Sequence, residues 1–189
     1  MKNNYYFCCM EKKIEWILDQ HRNTNHLYSE YLPYEFHLRM VVNIADKFMG
    51  LMVNETNLHP GNPDVINLRL ASFGHDLCED CRITYNDVKG HLGYEVADII
   101  YALTNEKGKT RKERANDKYY EGIRNTHGAV FVKLCDRIAN VQYSKMTGSR
   151  MFEMYKKEND EFIVQLGWDD TNTHPYFKMF SYLQDLFKD

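Results

Sequence analysis

Apolar residues recur every three or four positions along almost the whole chain, which is the periodicity of a helix that buries one face. The longest such stretch runs from 34 to 52 and contains Leu38, Val41 and Phe48. No alternation of apolar and polar residues is long enough to predict a β-strand. The pattern therefore predicts an all-α fold, built as one bundle of roughly eight or nine helices.

Local signals divide this pattern into separate helices. Thr84, followed three residues later by Asp87, is typical of a capping box at a helix start. Gly93, Gly128 and Gly148 interrupt the apolar pattern. The predicted helices cover 11–22, 34–52, 64–77, 84–92, 95–103, 130–146, 150–166 and 175–187, and a further polar helix ends near Thr126.

Length and charge exclude several classes of protein. The chain has 189 residues, which predicts a single domain over 1–189. Its formal net charge of −3 argues against a partner that is a nucleic acid polymer, although a small basic pocket for an anion stays possible. No apolar run is long enough to predict a membrane span or a signal peptide. Five cysteines, an odd number, favour reduced thiols and a cytoplasmic location.

Four polar residues stand close together at the end of the helix predicted over 64–77. They are His75, Asp76, Glu79 and Asp80. On a continuous helix, Asp76 would share a face with Glu79 and Asp80. Carboxylates at that spacing repel and raise one another's pKa unless a cation neutralises them. The cluster therefore predicts a bound divalent metal.

Two other apolar helices each contain one polar residue that could complete such a site. His37 lies among Phe36, Leu38 and Val41, and Asp136 lies within the apolar stretch 130–141. An unpaired carboxylate on a buried face is costly, so Asp136 is expected to have a partner. Two imidazoles and two carboxylates suit Mn²⁺, Fe²⁺ or Zn²⁺ better than Ca²⁺.

These residues resemble the motifs of the HD-domain metal phosphohydrolases. The segment His-Asp-Leu-Cys-Glu-Asp-Cys at 75–81 is similar to His-Asp-x-x-Glu-Asp-Thr of the RelA/SpoT hydrolase domain and the small alarmone hydrolases. Pro-Tyr-Glu-Phe-His at 33–37, the segment 90–104 and Val-Lys-Leu-Cys-Asp-Arg-Ile-Ala-Asn at 132–140 resemble further motifs in the same order. The motif-bearing core covers about 31–155.

The resemblance implies a reaction and a role for each matching residue. The implied reaction is the removal of pyrophosphate from the 3′ position of guanosine 3′,5′-bis(diphosphate), so the expected partner is a small phosphorylated nucleotide; a homo-oligomer stays open. The implied metal, typically Mn²⁺, would be bound by His37, His75, Asp76 and Asp136. Glu79 and Asp80 would orient and deprotonate the attacking water, and substrate contacts would come from Asn140, Lys107, Arg22 and Tyr155.

Two alternatives stay open at this point. After Asn140 the resembled enzymes usually have an Arg-Thr pair, whereas this chain has Gln142 and Tyr143. The loss of one phosphate-binding cation keeps open an HD-type phosphatase that releases a monophosphate from a nucleotide or dinucleotide cofactor. A non-catalytic nucleotide sensor ranks last, because both Glu79 and Asp80 are present.

Overall fold

The computed structural model describes residues 2–169 and 173–188. The side chains of residues 2–9, which include Cys8 and Cys9, and of Glu55 lie outside this description. Three further cysteines, Cys78, Cys81 and Cys135, are free thiols. Cys81 and Cys135 are buried in the hydrophobic core, and Cys78 packs against it.

Within the described ranges the chain forms eleven α-helices and no β-strand. Nine of the helices have eight residues or more, which confirms the expected all-α bundle of eight or nine helices. The helices are α1 (Lys2–Asn23), α2 (Glu35–Phe48), α3 (Pro63–Gly74), α4 (Leu77–Asp80), α5 (Tyr85–Leu92), α6 (Tyr94–Leu103), α7 (Arg111–Arg114), α8 (Asp117–Asn125), α9 (Ala129–Thr147), α10 (Met151–Gln165) and α11 (Phe177–Leu186).

Helix α9 forms the centre of the bundle. It packs against α2, α3, α6, α8, α10 and α11. Phe131, Leu134 and Ile138 are fully buried on it. It begins after Gly128, whose φ of 82° lies in the left-handed region that favours glycine. A Cβ at Gly128 would also approach Leu68 Cδ2 to 2.8 Å, so glycine permits the close approach of α3 to the start of α9.

The predicted capping box at the start of α5 is confirmed. The Asp87 backbone N–H donates to Thr84 Oγ1 at 3.3 Å, and the Thr84 backbone N–H donates to Asp87 Oδ2 at 2.9 Å. The two bonds satisfy backbone donors that the first turn of a helix leaves without a partner.

The helix predicted over 64–77 is interrupted, which corrects one expectation. Helix α3 ends at Gly74, and Asp76 leaves the helical region with φ −102° and ψ 4° before α4 begins. His75 and Asp76 therefore lie at a junction and not along one continuous helix. Because Gly74 has no side chain, this junction can lie close to α6. A Cβ at Gly74 would lie only 2.8 Å from Ile100 Cδ1.

Of the helices described, none combines the length and the apolar character that a bilayer crossing requires.

Candidate metal centre

The two histidines and the adjacent aspartate come together between α2 and the α3–α4 junction. His37, His75 and Asp76 each offer one donor atom, and the three atoms lie within 4.8 Å of one another. The side chain of Asp136, on α9, joins them: its Oδ1 lies 3.3 Å from His37 Nε2 and 3.7 Å from His75 Nε2. Three separate segments of the chain thus bring two imidazoles and two carboxylates to one place.

The ring of His75 is oriented by its own helix. Nδ1 lies 2.9 Å from the Ser72 carbonyl oxygen, to which it donates. In the absence of an ion, the raised pKa of His75 keeps Nε2 protonated, 2.9 Å from Asp76 Oδ2. A metal that replaces this proton would take the Nε2 lone pair. Nε2 is buried and lies within ion-pair distance of the carboxylates of Asp76 and Asp136. A backbone carbonyl that fixes the ring of a histidine is the usual arrangement behind a metal ligand, so these residues fit a divalent ion.

The electrostatics of the cluster favour a cation. Burial alone would raise the pKa of Asp76 and of Asp136, but His75 and Lys133 respectively hold these pKa values below the usual range. Burial lowers the pKa of His75, and the two carboxylates outweigh it and raise that pKa to about 9. Both carboxylates are therefore ionised at neutral pH, and they stabilise positive charge between them.

The two carboxylates that follow lie on the short helix α4. Burial raises the pKa of Asp80 to about 7, and the charges of Asp76 and Glu79 act in the same direction, as the like-charge argument predicts for this group. Asp80 Oδ2 lies 3.4 Å from His26 Nδ1. Glu79 is exposed, and its Oε1 accepts a hydrogen bond of 2.7 Å from Asn105 Nδ2. Asp80 is thus partly desolvated beside the cluster, and Glu79 is held by the Asn105 amide.

Comparison with known proteins gives several sequence relatives, among them MESH1 proteins and, over 29% of its length, a proline–tRNA ligase of Mycoplasma capricolum. No family profile matches the chain. The chain is 26% identical over 129 residues to the guanosine-3′,5′-bis(diphosphate) 3′-pyrophosphohydrolase MESH1 of Danio rerio, a span of 68% of this chain and 65% of that protein. It is 29% identical over 115 residues to MESH1 of Mus musculus, a span of 59% of this chain and 64% of the relative. The matches therefore span a little under two thirds of these MESH1 relatives.

The fold agrees with the sequence likeness. A solved structure described as a metazoan ortholog of SpoT, which hydrolyses ppGpp and plays a role in starvation responses, matches with a TM-score of 0.66. The match has 17% identity and covers 94% of both chains. The chain resembles the HD-domain alarmone hydrolases in sequence and in fold.

The residues that this resemblance assigns to substrate occupy different surroundings. Asn140 Nδ2 donates to Asp136 Oδ1 at 2.5 Å, and the buried Tyr155 lies 4.8 Å below the Arg137 guanidinium. Lys107 is exposed in the loop between α6 and α7. Arg22 forms ion pairs with three carboxylates, those of Glu15, Asp19 and Glu35, and so its charge is already compensated.

Two tyrosines form hydrogen bonds with candidate site residues, and no role for either is predicted from the sequence. The hydroxyl of Tyr34 donates to Asp76 Oδ2, and the hydroxyl of Tyr28 donates to Asn140 Oδ1 at 2.9 Å. Tyr34 stands inside the Pro-Tyr motif, which is a signal in the sequence. Tyr28 has no such signal, because only the path of the loop brings it over α9.

Proposed function

We propose that this protein is a metal-dependent hydrolase that releases pyrophosphate from the 3′ position of guanosine 3′,5′-bis(diphosphate). The observation that carries the proposal is the cluster of His37, His75 and Asp76, whose donor atoms lie within 4.8 Å of one another, with the buried His75 Nε2 facing two carboxylates. The similarity to MESH1, which carries that activity in its name, supports the choice of reaction.

Four residues would hold the metal in this proposal: His37, His75, Asp76 and Asp136. Two nitrogens and two carboxylate oxygens suit Mn²⁺, which we propose as the metal, with Fe²⁺ or Zn²⁺ as the other ions this donor set accepts. A divalent ion in such a site lowers the pKa of a water ligand and polarises a phosphoryl oxygen.

The chain itself would supply the base. In hydrolysis to GDP and pyrophosphate, the water oxygen bonds to the phosphorus next to the ribose 3′ oxygen, and the bond between that phosphorus and the 3′ oxygen breaks. The attacking water gives up a proton, and the leaving 3′ oxygen takes one up. Asp80, on α4 beside the cluster, would accept the proton from the water, because a carboxylate whose pKa is raised to about 7 is an efficient acceptor. Glu79, anchored by Asn105, would orient the same water.

Substrate contacts remain predictions. Lys107 is an exposed cation that could reach a phosphate, and Tyr155 lies beside two arginines, Arg137 and Arg111. Asn140 and Arg22 keep the roles that the resemblance implies, although each is hydrogen-bonded within the protein. We place the reaction in the cytoplasm, where the free thiols of the chain would stay reduced.

One observation favours a second candidate. Gln142 stands where the resembled enzymes usually carry an arginine, and its amide donates to Tyr182 at 2.8 Å. With Arg22 compensated by three carboxylates, fewer free cations face a highly phosphorylated nucleotide. This favours an HD-type phosphatase that removes one phosphate from a nucleotide or dinucleotide cofactor.

One assay separates the two candidates. Purified protein with Mn²⁺ is incubated with guanosine tetraphosphate, and the products are resolved by chromatography. GDP with pyrophosphate, lost on chelation, is the expected result. Orthophosphate in place of pyrophosphate, or turnover only of 2′-, 3′- or 5′-monophosphate nucleotides, would contradict the first candidate and support the second.

A carboxamide variant tests the assignment of the carboxylates. Glu79→Gln is expected to lose turnover by a factor of at least about 100, the lower range for general acid–base assistance, and to keep Mn²⁺ bound. The matched control is Glu121→Gln, the same change at an exposed carboxylate on α8. Equal rates for Glu79→Gln and wild type would show that Glu79 has no part in activating water.

A further inference from the structure

The connection between α1 and α2 is a closed loop that lies against the candidate metal centre. Leu27 and Pro33 form an isolated antiparallel bridge. The Tyr28 backbone N–H donates to the Leu32 carbonyl at 2.9 Å, and the Tyr34 backbone N–H donates to the His26 carbonyl at 3.2 Å. These bonds hold the loop over residues 26–34 in one shape, and they fix the backbone positions of Tyr28 and Tyr34.

Tyr28 contacts two of the candidate ligands, one directly and one through an amide. Its ring stacks on His37, with centroids 4.7 Å apart and planes inclined by 15°. Its hydroxyl donates to Asn140 Oδ1 at 2.9 Å, and Asn140 Nδ2 donates to Asp136 Oδ1 at 2.5 Å. The Asn140 amide therefore links the Tyr28 hydroxyl to the Asp136 carboxylate.

Tyr34 holds the other carboxylate. Its hydroxyl donates to Asp76 Oδ2. Its ring lies nearly parallel to those of His26 and His21, at centroid distances of 4.0 and 4.8 Å. Stacking of this kind restricts the ring, so the hydroxyl has little freedom to leave Asp76.

We propose that Tyr28 and Tyr34 are positioning residues that set the geometry of the metal centre from one loop, an inference that rests on the metal site of the proposed function. Tyr34 orients Asp76, and Tyr28 orients Asp136 through Asn140. Outer partners of metal ligands typically change metal affinity or activity by about 10–100-fold when they are removed. Neither tyrosine needs to touch the substrate for this role.

The test removes one hydroxyl at a time and measures metal binding without any nucleotide. Tyr28→Phe and Tyr34→Phe are each expected to raise the Mn²⁺ dissociation constant about tenfold, by calorimetry, and to broaden the spectrum of bound Mn²⁺ in electron paramagnetic resonance. Tyr31→Phe is the matched control, because Tyr31 stands in the same loop with 87% of its surface exposed. Wild-type affinity in both Tyr28→Phe and Tyr34→Phe would overturn the proposal.

A double-mutant cycle tests the path through the amide. In an Asn140→Ala background, Tyr28→Phe is expected to have no further effect on Mn²⁺ affinity, because its hydroxyl has lost its acceptor. Additive losses would overturn the relay. Tyr28→Phe keeps the ring on His37, so its thermal transition serves as the check of folding. If Tyr34→Phe does not fold, Tyr28→Phe and its combination with Asn140→Ala are sufficient to test the proposal.

The outcome for metal binding is separable from the outcome for the proposed reaction. In an active enzyme, Tyr34→Phe is expected to lower kcat with little change in KM, since Tyr34 contacts a metal ligand and has no assigned contact with the nucleotide. Weaker Mn²⁺ binding in the variants of a protein that hydrolyses no guanosine tetraphosphate would support the positioning roles and contradict the proposed substrate. Absence of Mn²⁺ binding in the wild type would overturn both.

Discussion

His21 is a buried histidine that the core holds neutral. It is 2% exposed, and neither ring nitrogen has a hydrogen-bond partner among the described residues. Burial lowers its pKa from 6.5 to about 4, and the charge of Asp76 offsets only part of that effect. Its ring stacks on Tyr34 at a centroid distance of 4.8 Å.

This burial predicts a loss of stability in mild acid. The unfolded chain protonates His21 near pH 6.5, whereas the folded protein does so only near pH 4. Between these values protons bind the unfolded state more strongly, so the free energy of unfolding falls as the pH is lowered, by up to about 3 kcal/mol from this residue. Urea unfolding of the metal-free protein across pH 4–7 measures this fall in the free energy of unfolding.

His21→Phe is the variant that isolates the effect. It keeps a ring for stacking and removes the titrating group. We expect its free energy of unfolding to exceed that of wild type below about pH 6 by an amount that grows toward pH 4. The same pH slope in both proteins would mean that other groups cause the acid sensitivity.

Among the secondary structure elements, the start of α9 shows what periodicity does not reveal. The apolar pattern predicts a helix over 130–146, close to the observed Ala129–Thr147. The pattern does not show that Gly128 adopts a φ of 82° against Leu68, because that conformation follows from the packing of α3 on α9. The interruption at His75 and Asp76 is invisible for a related reason, since Phe73 and Leu77 continue the apolar spacing across it.

Two glycine substitutions should therefore change the free energy of unfolding in opposite directions. Gly128→Ala should destabilise the protein by at least about 1–2 kcal/mol, because a left-handed backbone is unfavourable for an L residue. Gly90→Ala, inside α5 where a Cβ would meet nothing within 4 Å, should stabilise by about 0.5–1 kcal/mol. Thermal or urea unfolding of both variants gives the comparison. Equal effects would mean that the backbone at Gly128 carries no strain.

For the molecule as a whole, the candidate centre acts as a link between distant parts of the chain. His37, His75 with Asp76, and Asp136 come from α2, the α3–α4 junction and α9. An ion that binds only the folded arrangement stabilises it by mass action. The same residues therefore join the chemistry of the site to the stability of the bundle.

Mn²⁺ should raise the melting temperature of the metal-free protein. At about 100 times its dissociation constant a ligand adds about 2.7 kcal/mol, which for a chain of this size corresponds to roughly 5–10 °C. A chelator should reverse the shift, and Asp136→Asn should remove most of it. Asp160→Asn, the same change at an exposed position of α10, should keep it. An undiminished shift in Asp136→Asn would remove Asp136 from the ligand set.

Local chemistry in the chain is enough to predict the helices, the capping box at Thr84 and the grouping of His37, His75, Asp76 and Asp136, because a polar residue on a buried helical face needs a partner wherever the fold places it. The substrate-facing roles, the break at Asp76 and the two tyrosines depend on distances between segments far apart in sequence. Tyr28 and Asn140 are separated by 112 positions, and no periodicity along the chain relates them. Only the folding of the loop over α9 brings that hydroxyl to that amide, since contacts of this kind are set by packing and not by local preference.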